Sequence, residues 1–219
     1  MYYTKIMKYS EFNNVLIAII ILTAVGSFGF ALNSDWNLVA KTFVFSAIII
    51  LVAVFSRKLI AYMLDSGVEH EVWSVYRYFW KPGWHFNKPV PAGIILPLFF
   101  SLFSLGTLKV ATILTYETRA LKYRAARRFG SYSFTEMTDW HNGIIGAAGI
   151  LGVLILALIS YFIPFTNLEY LTKLAIFYAF WNMVPVSNSD GTQIFFGSRI
   201  LWTVLAVITG IFTVYALLL

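Results

Sequence analysis

The sequence predicts an all-α polytopic membrane protein with five transmembrane helices, or six if one short apolar stretch also crosses. Composition and the length of the apolar runs carry that prediction. Of the 219 residues, 59% are hydrophobic and 12% are charged, whereas a soluble domain carries about a quarter charged residues. That excludes an ordinary soluble globule. The chain has no cysteine, which excludes a disulfide framework, a thiol nucleophile and any Cys-ligated metal. Three histidines leave metal chemistry thinly supplied. The net charge of +6 implies no specific nucleic-acid partner, because in a lipid-embedded chain Lys and Arg report which side faces the cytoplasm.

A spanning helix needs about 20 mostly apolar residues. The first such run is Asn13 to Leu32 and the second Leu38 to Ile60, divided by the turn-forming Asn33-Ser34-Asp35. The third, His141 to Ile163, stops at Pro164; the fourth covers Leu168 to Val184 and the last Arg199 to Leu219. The first run lacks the short apolar core and small-residue cleavage site of a signal peptide, so it is expected to be retained as a helix. A sixth run, Gly93 to Leu105, has 13 residues before Gly106, which is short for a span.

Charge placement decides how that short run is read. Eleven of the 16 Lys and Arg fall between Ser56 and Trp140, and the loops around Asp35 and Thr166 have none. Were Gly93 to Leu105 to cross, the cluster from Lys109 to Arg128 would oppose Arg57, Lys58 and Arg77, against the positive-inside bias. The expectation is therefore a cytoplasmic N-terminus, a re-entrant or β-hairpin segment over residues 89–116 on the cytoplasmic side, and a basic cytoplasmic loop over 117–140. Non-helical backbone at membrane depth is tolerated only where protein or a wet cavity satisfies it. Thr107 to Tyr116 is rich in β-branched residues and reads as extended chain, an edge on which an unwound peptide pairs by strand addition. The plain alternative is one ordinary helix over 93–116.

Ionisable residues inside apolar surroundings are functional candidates, because an unpaired buried charge is costly. Asp190 is the foremost. It follows Asn182-Met183-Val184-Pro185, where Pro185 must break the helix, and precedes Gly191. A carboxylate at a broken helix suits a cation or proton site; the plain alternative is a surface aspartate in a loop. The second candidate is Asp65-Ser66-Gly67-Val68-Glu69-His70-Glu71. On a helix Asp65 and Glu69 share a face, and His with carboxylates is a sensible metal set; the plain alternative is a solvated helix end.

The string Asn182-x-x-Pro185-x-x-x-x-Asp190-Gly191 resembles the third-ligand motif of the site-2 protease family of intramembrane zinc metalloproteases. Ala148-Gly149-Ile150-Leu151-Gly152 resembles that family's Ala-Gly-Pro-x-x-Asn helix, with Ile150 and Gly152 in place of the proline and asparagine. Pro89 to Pro97 resembles the re-entrant region of archaeal members. The resemblance covers about residues 40 to 219 and implies a site-2-protease-like core in an archaeal-type cell membrane. The departure lies in the His-Glu-x-x-His that family members carry on the preceding core helix, two histidines one turn apart holding zinc and the glutamate activating water. The nearest match here is His70-Glu71-Val72-Trp73-Ser74, with serine at the second ligand position.

If the family helix aligns there, His70 matches the first ligand, Glu71 the general base and Asp190 the third ligand, with Glu69 or Asp65 supplying the missing donor. The leading expectation is a degenerate protease that binds single-span membrane proteins as adaptor or complex subunit. Its alternatives are an active zinc endopeptidase with an altered site and an ion- or proton-coupled transporter. Asn182, Pro185 and Gly191 would shape the broken helix, and Lys109, Val110 and Thr112 would touch a substrate. Small residues Gly143, Gly146, Gly149 and Gly152 permit close helix contact, with a partner or within the chain.

Overall fold

The computed structural model describes residues 9–77, 85–121, 137–163 and 168–218. In chain order these form α1 (Tyr9–Leu32), α2 (Trp36–Met63), β1 (Ser66–Val72), β2 (Val75–Arg77), β3 (His85–Val90), α3 (Ala92–Phe103), β4 (Leu114–Ala120), α4 (Asp139–Phe162), α5 (Leu168–Met183), α6 (Asp190–Gly197) and α7 (Arg199–Leu218). The chain is mostly helical with a small sheet, so the all-α expectation needs that addition. Among the described residues, four helices are long and apolar enough to cross a bilayer: Ser10–Leu32, Trp36–Met63, Asp139–Phe162 and Arg199–Leu218. The fourth apolar run of the sequence becomes α5, 16 residues and about 24 Å long, packed between α4 and α7.

Several helix boundaries fall at local sequence signals. Asn33 to Asp35 separates α1 from α2, with Ser34 in the left-handed region. Thr138 caps α4. Pro185 lies two residues past the end of α5, as its missing N–H requires. The lipid-type residues point outward: Phe55, Phe162, Ile200 and Leu218 are all exposed, while the buried residues of α2 recur at Thr42, Ser46, Ile49, Ile50, Ala53, Val54, Arg57 and Ala61. That spacing of three and four residues is one face of a helix, and α1, α4 and α5 pack around it.

Residues 93–113 leave the sheet end of this bundle and come back to it. Trp73 joins both limbs, its carbonyl accepting from Gly93 N and its N–H donating to Ile113 O, each at 2.8 Å. The outward limb is α3, about 18 Å of helix; its far tip places Gly106, in the left-handed region at φ 82°, against Phe28 and Gly29 of α1. The return limb is extended. Asn182 Nδ2 donates to Ala111 O at 3.2 Å, giving the irregular backbone a side-chain partner of the kind it requires among helices, and Thr112 Oγ1 donates to the α5 carbonyl Trp181 O at 2.7 Å.

Beyond the return limb, β4 pairs antiparallel with β1 from Ser66↔Ala120 to Val72↔Leu114. A second small ladder joins β2 to β3. Residues 65–72 are thus a turn and a strand, where the sequence reading allowed a helix. Asp65 sits at φ 53°, a conformation that aspartate tolerates and that ends α2. The basic run at 122–128 lies outside the described residues. Closing the excursion at its base leaves no room at Gly93, where an added Cβ would come within 3.2 Å of Ile113 Cα. Gly93→Ala is therefore expected to destabilise the protein by about 1–3 kcal/mol, as overpacking does, whereas Gly29→Ala, with open space around it, should be neutral or stabilising; thermal melts in detergent compare the two.

Candidate functional site

Asp190 is the first residue of α6, capped by Ser189, whose hydroxyl also donates to Val184 O at 2.8 Å and so ties the break between α5 and α6. The turn holds because Gly191 is pressed against the Met183 carbonyl, where any Cβ would collide. The aspartate is completely buried. Its partner comes from α2: Arg57 Nη2 forms an ion pair with Asp190 Oδ2, and both side chains are fully excluded from solvent. Arg57 is the largest fully buried side chain described. Gly149 of α4 gives it space, since a Cβ there would strike the guanidinium, and the Tyr116 ring lies 5.5 Å from Arg57 Cζ. A guanidinium stays charged at any ordinary pH, so the carboxylate is neutralised in place.

A second ionic cluster sits beside the first. Glu11 of α1, itself buried, lies 2.9 Å from His70 Nδ1 and 2.8 Å from Lys58 Nζ. Asn14 Nδ2 donates to the His70 carbonyl at 3.1 Å, which pins β1 to α1. Burial holds the His70 imidazole down, to about 4, despite the upward pull of Glu11. Its charge state at neutral pH is therefore zero.

The sequence-level candidates are placed as follows. His70 and Glu71 fall on opposite faces of β1, because successive strand residues alternate; His70 is buried and Glu71 exposed. That separates the imagined metal ligand from its general base. Glu69 faces the same way as Glu71 and lies 3.6 Å from Arg119, and Asp65 ends α2. None of these joins Asp190, and no three His, Asp or Glu converge among the described residues. The donor set does not fit zinc, which takes three protein ligands plus water in catalytic sites. Asp190 is also not held by Asn182, which is spent on Ala111 O and on Tyr178 O.

Val110 and Thr112 are buried in the bundle. Lys109 lies near the tip of the excursion, away from the basic sheet end, its Nζ 3.3 Å from the Tyr170 hydroxyl and 4.7 Å from that ring's centroid. The glycines of α4 serve the chain itself: Gly143 faces Gly197, Gly146 faces Tyr116, Gly149 faces Arg57 and Gly152 faces Ser56. Arg57 and Glu11 are the residues that sequence reasoning missed. Arg57 carried a signal, since it continues the buried stripe between Ala53 and Ala61, two small residues one turn away on either side.

Between β4 and α6 lies an open groove of about 570 Å³ lined by Tyr116, Glu117, Thr118, Asn142, Asn188 and Phe196, among others. It borders β4 on the side away from β1. There the Tyr116 carbonyl accepts from Gln193 Nε2 at 3.0 Å and Thr115 Oγ1 donates to Asn188 O at 2.6 Å. The Gln193 amide thus takes one backbone group of that edge, and among the described residues no strand pairs with it. No family model matches the chain, and neither a curated protein nor a solved structure does.

Two outcomes follow from the geometry. An unfolded imidazole takes its proton near pH 6.5 while the buried one waits until about 4, so the His70 contribution is complete above pH 6.5 and is lost as the pH falls toward 4. Melting temperatures in detergent should drop across that window, and His70→Gln should flatten the drop. Arg57→Met strands a buried carboxylate, which costs about 3–5 kcal/mol when one partner of a buried pair is removed; denaturation in mixed micelles measures it.

Proposed function

We propose that this chain is a site-2-protease-like membrane protein that holds the transmembrane helix of a single-span partner without cutting it, as an adaptor or as a subunit of a larger membrane assembly. The observation that carries this reading is the buried pair of Arg57 and Asp190. The aspartate matches the family's third metal ligand, and here its charge is already answered by a side chain. Hydrolysis needs a polarised water, and a site whose carboxylate is bound by guanidinium, with Glu71 on an outward strand face, has nothing to polarise one.

The N-terminus and the sheet end face the cytoplasm in this reading, with Arg119 and Lys58 at that end. A partner helix approaches beside α6, where Phe196 is exposed, and its unwound end lies along the free side of β4. Backbone pairing there would replace the bond from Gln193 to Tyr116 O, the exchange by which an extended peptide adds to a sheet edge. The groove supports this reading because Tyr116, Glu117 and Thr118 of β4 line it beside the polar Asn142, Asn188 and Gln193.

A photo-crosslinking residue at Phe196 is expected to capture a co-expressed single-span reporter, whereas the same residue at the outward-facing Ile200 should not. The captured reporter should be full length. Chelator-sensitive cleavage of the reporter by the purified wild type would overturn the reading, as would equal crosslinking from both positions.

A further inference from the structure

Two histidines of a His-Glu-x-x-His motif reach one metal because a helix brings residues i and i+4 to within about 6 Å on one face. The sequence frame at 70–74 cannot do this, since a strand spreads four residues over about 13 Å and His70 lies on β1. The face of α2 turned toward Asp190 can. Arg57 meets the carboxylate directly, Ala53 lies one turn earlier on the same buried stripe, and Val54 follows it, both excluded from solvent. Ala53-Val54-Phe55-Ser56-Arg57 therefore has the spacing of the motif with neither a ligand nor a base in it.

We infer that the Arg57 guanidinium stands where a metal would and supplies its positive charge, so that α2 keeps the geometry of a metal-binding helix over residues 53–57 while a side chain permanently compensates Asp190. The inference rests on the resemblance used for the proposed function and adds the register and the substituting residue. Three features of the packing agree with it. Gly149 leaves the volume the guanidinium fills. The buried Tyr116 ring lies 5.5 Å from its Cζ. Arg57 and Asp190 carry opposite unit charges, so the buried site is neutral overall. A guanidinium has no empty orbital with which to ligate and ionise a water as a metal does, so the site is charge-balanced without being fully hydrogen-bonded: Arg57 Nε and Nη1 and Asp190 Oδ1 have no hydrogen-bond partner among the described residues.

The test rebuilds the motif. A variant carrying Ala53→His, Val54→Glu and Arg57→His is purified in detergent, exposed to zinc, desalted and assayed for metal by mass spectrometry beside the wild type. The expected result is about one zinc per chain in the variant, background in the wild type, and return to background when Asp190→Asn is added. A monodisperse variant that gains no zinc, or that keeps it after Asp190→Asn, overturns the inference. Should the rebuilt chain fail to fold, Arg57→Met is compared with Arg57→Met plus Asp190→Asn. Charge compensation requires the second change to restore monodisperse protein lost in the first; no restoration overturns the inference as well. Zinc gain without reporter crosslinking would sink only the adaptor function, and crosslinking without zinc gain would sink only the substitution.

Discussion

The rest of the structure depends on one buried ion pair. A carboxylate in the middle of an apolar bundle is untenable alone, since desolvating it costs several kcal/mol. Arg57 makes Asp190 tenable, and the surroundings are arranged for the pair. Gly149 on α4 yields space to the guanidinium, Gly191 lets α6 start tight against the end of α5, and Ser189 ties the broken segment so that Asp190 faces α2. Three helices and one helix break thus converge on two side chains. Their role is not net stability, since well-packed apolar residues usually replace buried ion pairs without loss. The pair joins α2 to α6 beside Gly149 of α4.

The same logic explains the excursion over residues 93–113. Extended chain among helices exposes amide groups that helices satisfy internally. Asn182, at the end of α5, meets that demand at Ala111 O, and the Thr112 hydroxyl returns a bond to Trp181 O. The asparagine that the motif assigned to shaping the helix break is therefore a bracket for the return limb. Trp73 performs the corresponding task at the base, joining both limbs through its own backbone. The polar residues of this region serve the backbone first, and the site inherits their order.

Below the bundle, the strand pair β1 and β4 separates two chemistries. Its inner face presents His70 to Glu11 and Tyr116 to Arg57; its outer face presents Glu69 and Glu71 toward solvent. The edge of β4 away from β1, held by Gln193 at Tyr116 O, borders the groove at α6. The two strands thus turn an ionic face inward and an acidic face outward by the alternation of their side chains. A helix over 65–72 would have offered neither.

Much of the architecture was legible in the residues. Apolar runs of helical length, ended by Asn33-Ser34-Asp35 and Pro185, are local properties, because hydrophobicity and proline geometry act wherever they stand. The short run at Gly93 and the β-branched stretch after Gly106 gave away the outward helix and the extended return for the same reason. Asp190 was recognisable as the polar centre, since a buried acid beside a broken helix is rare. Partnership was not legible. Arg57 and Asp190 are 133 positions apart, as Glu11 and His70 are 59 apart, and no local rule reports which distant charges meet. Whether His70 and Glu71 act together turned on strand against helix, a choice made by the pairing of β1 with β4 across more than forty residues. Local chemistry settled where the chain is apolar and where it must turn; only tertiary packing settled which charges neutralise one another, because in a low-dielectric interior every charge must find its partner from whatever element the fold brings beside it.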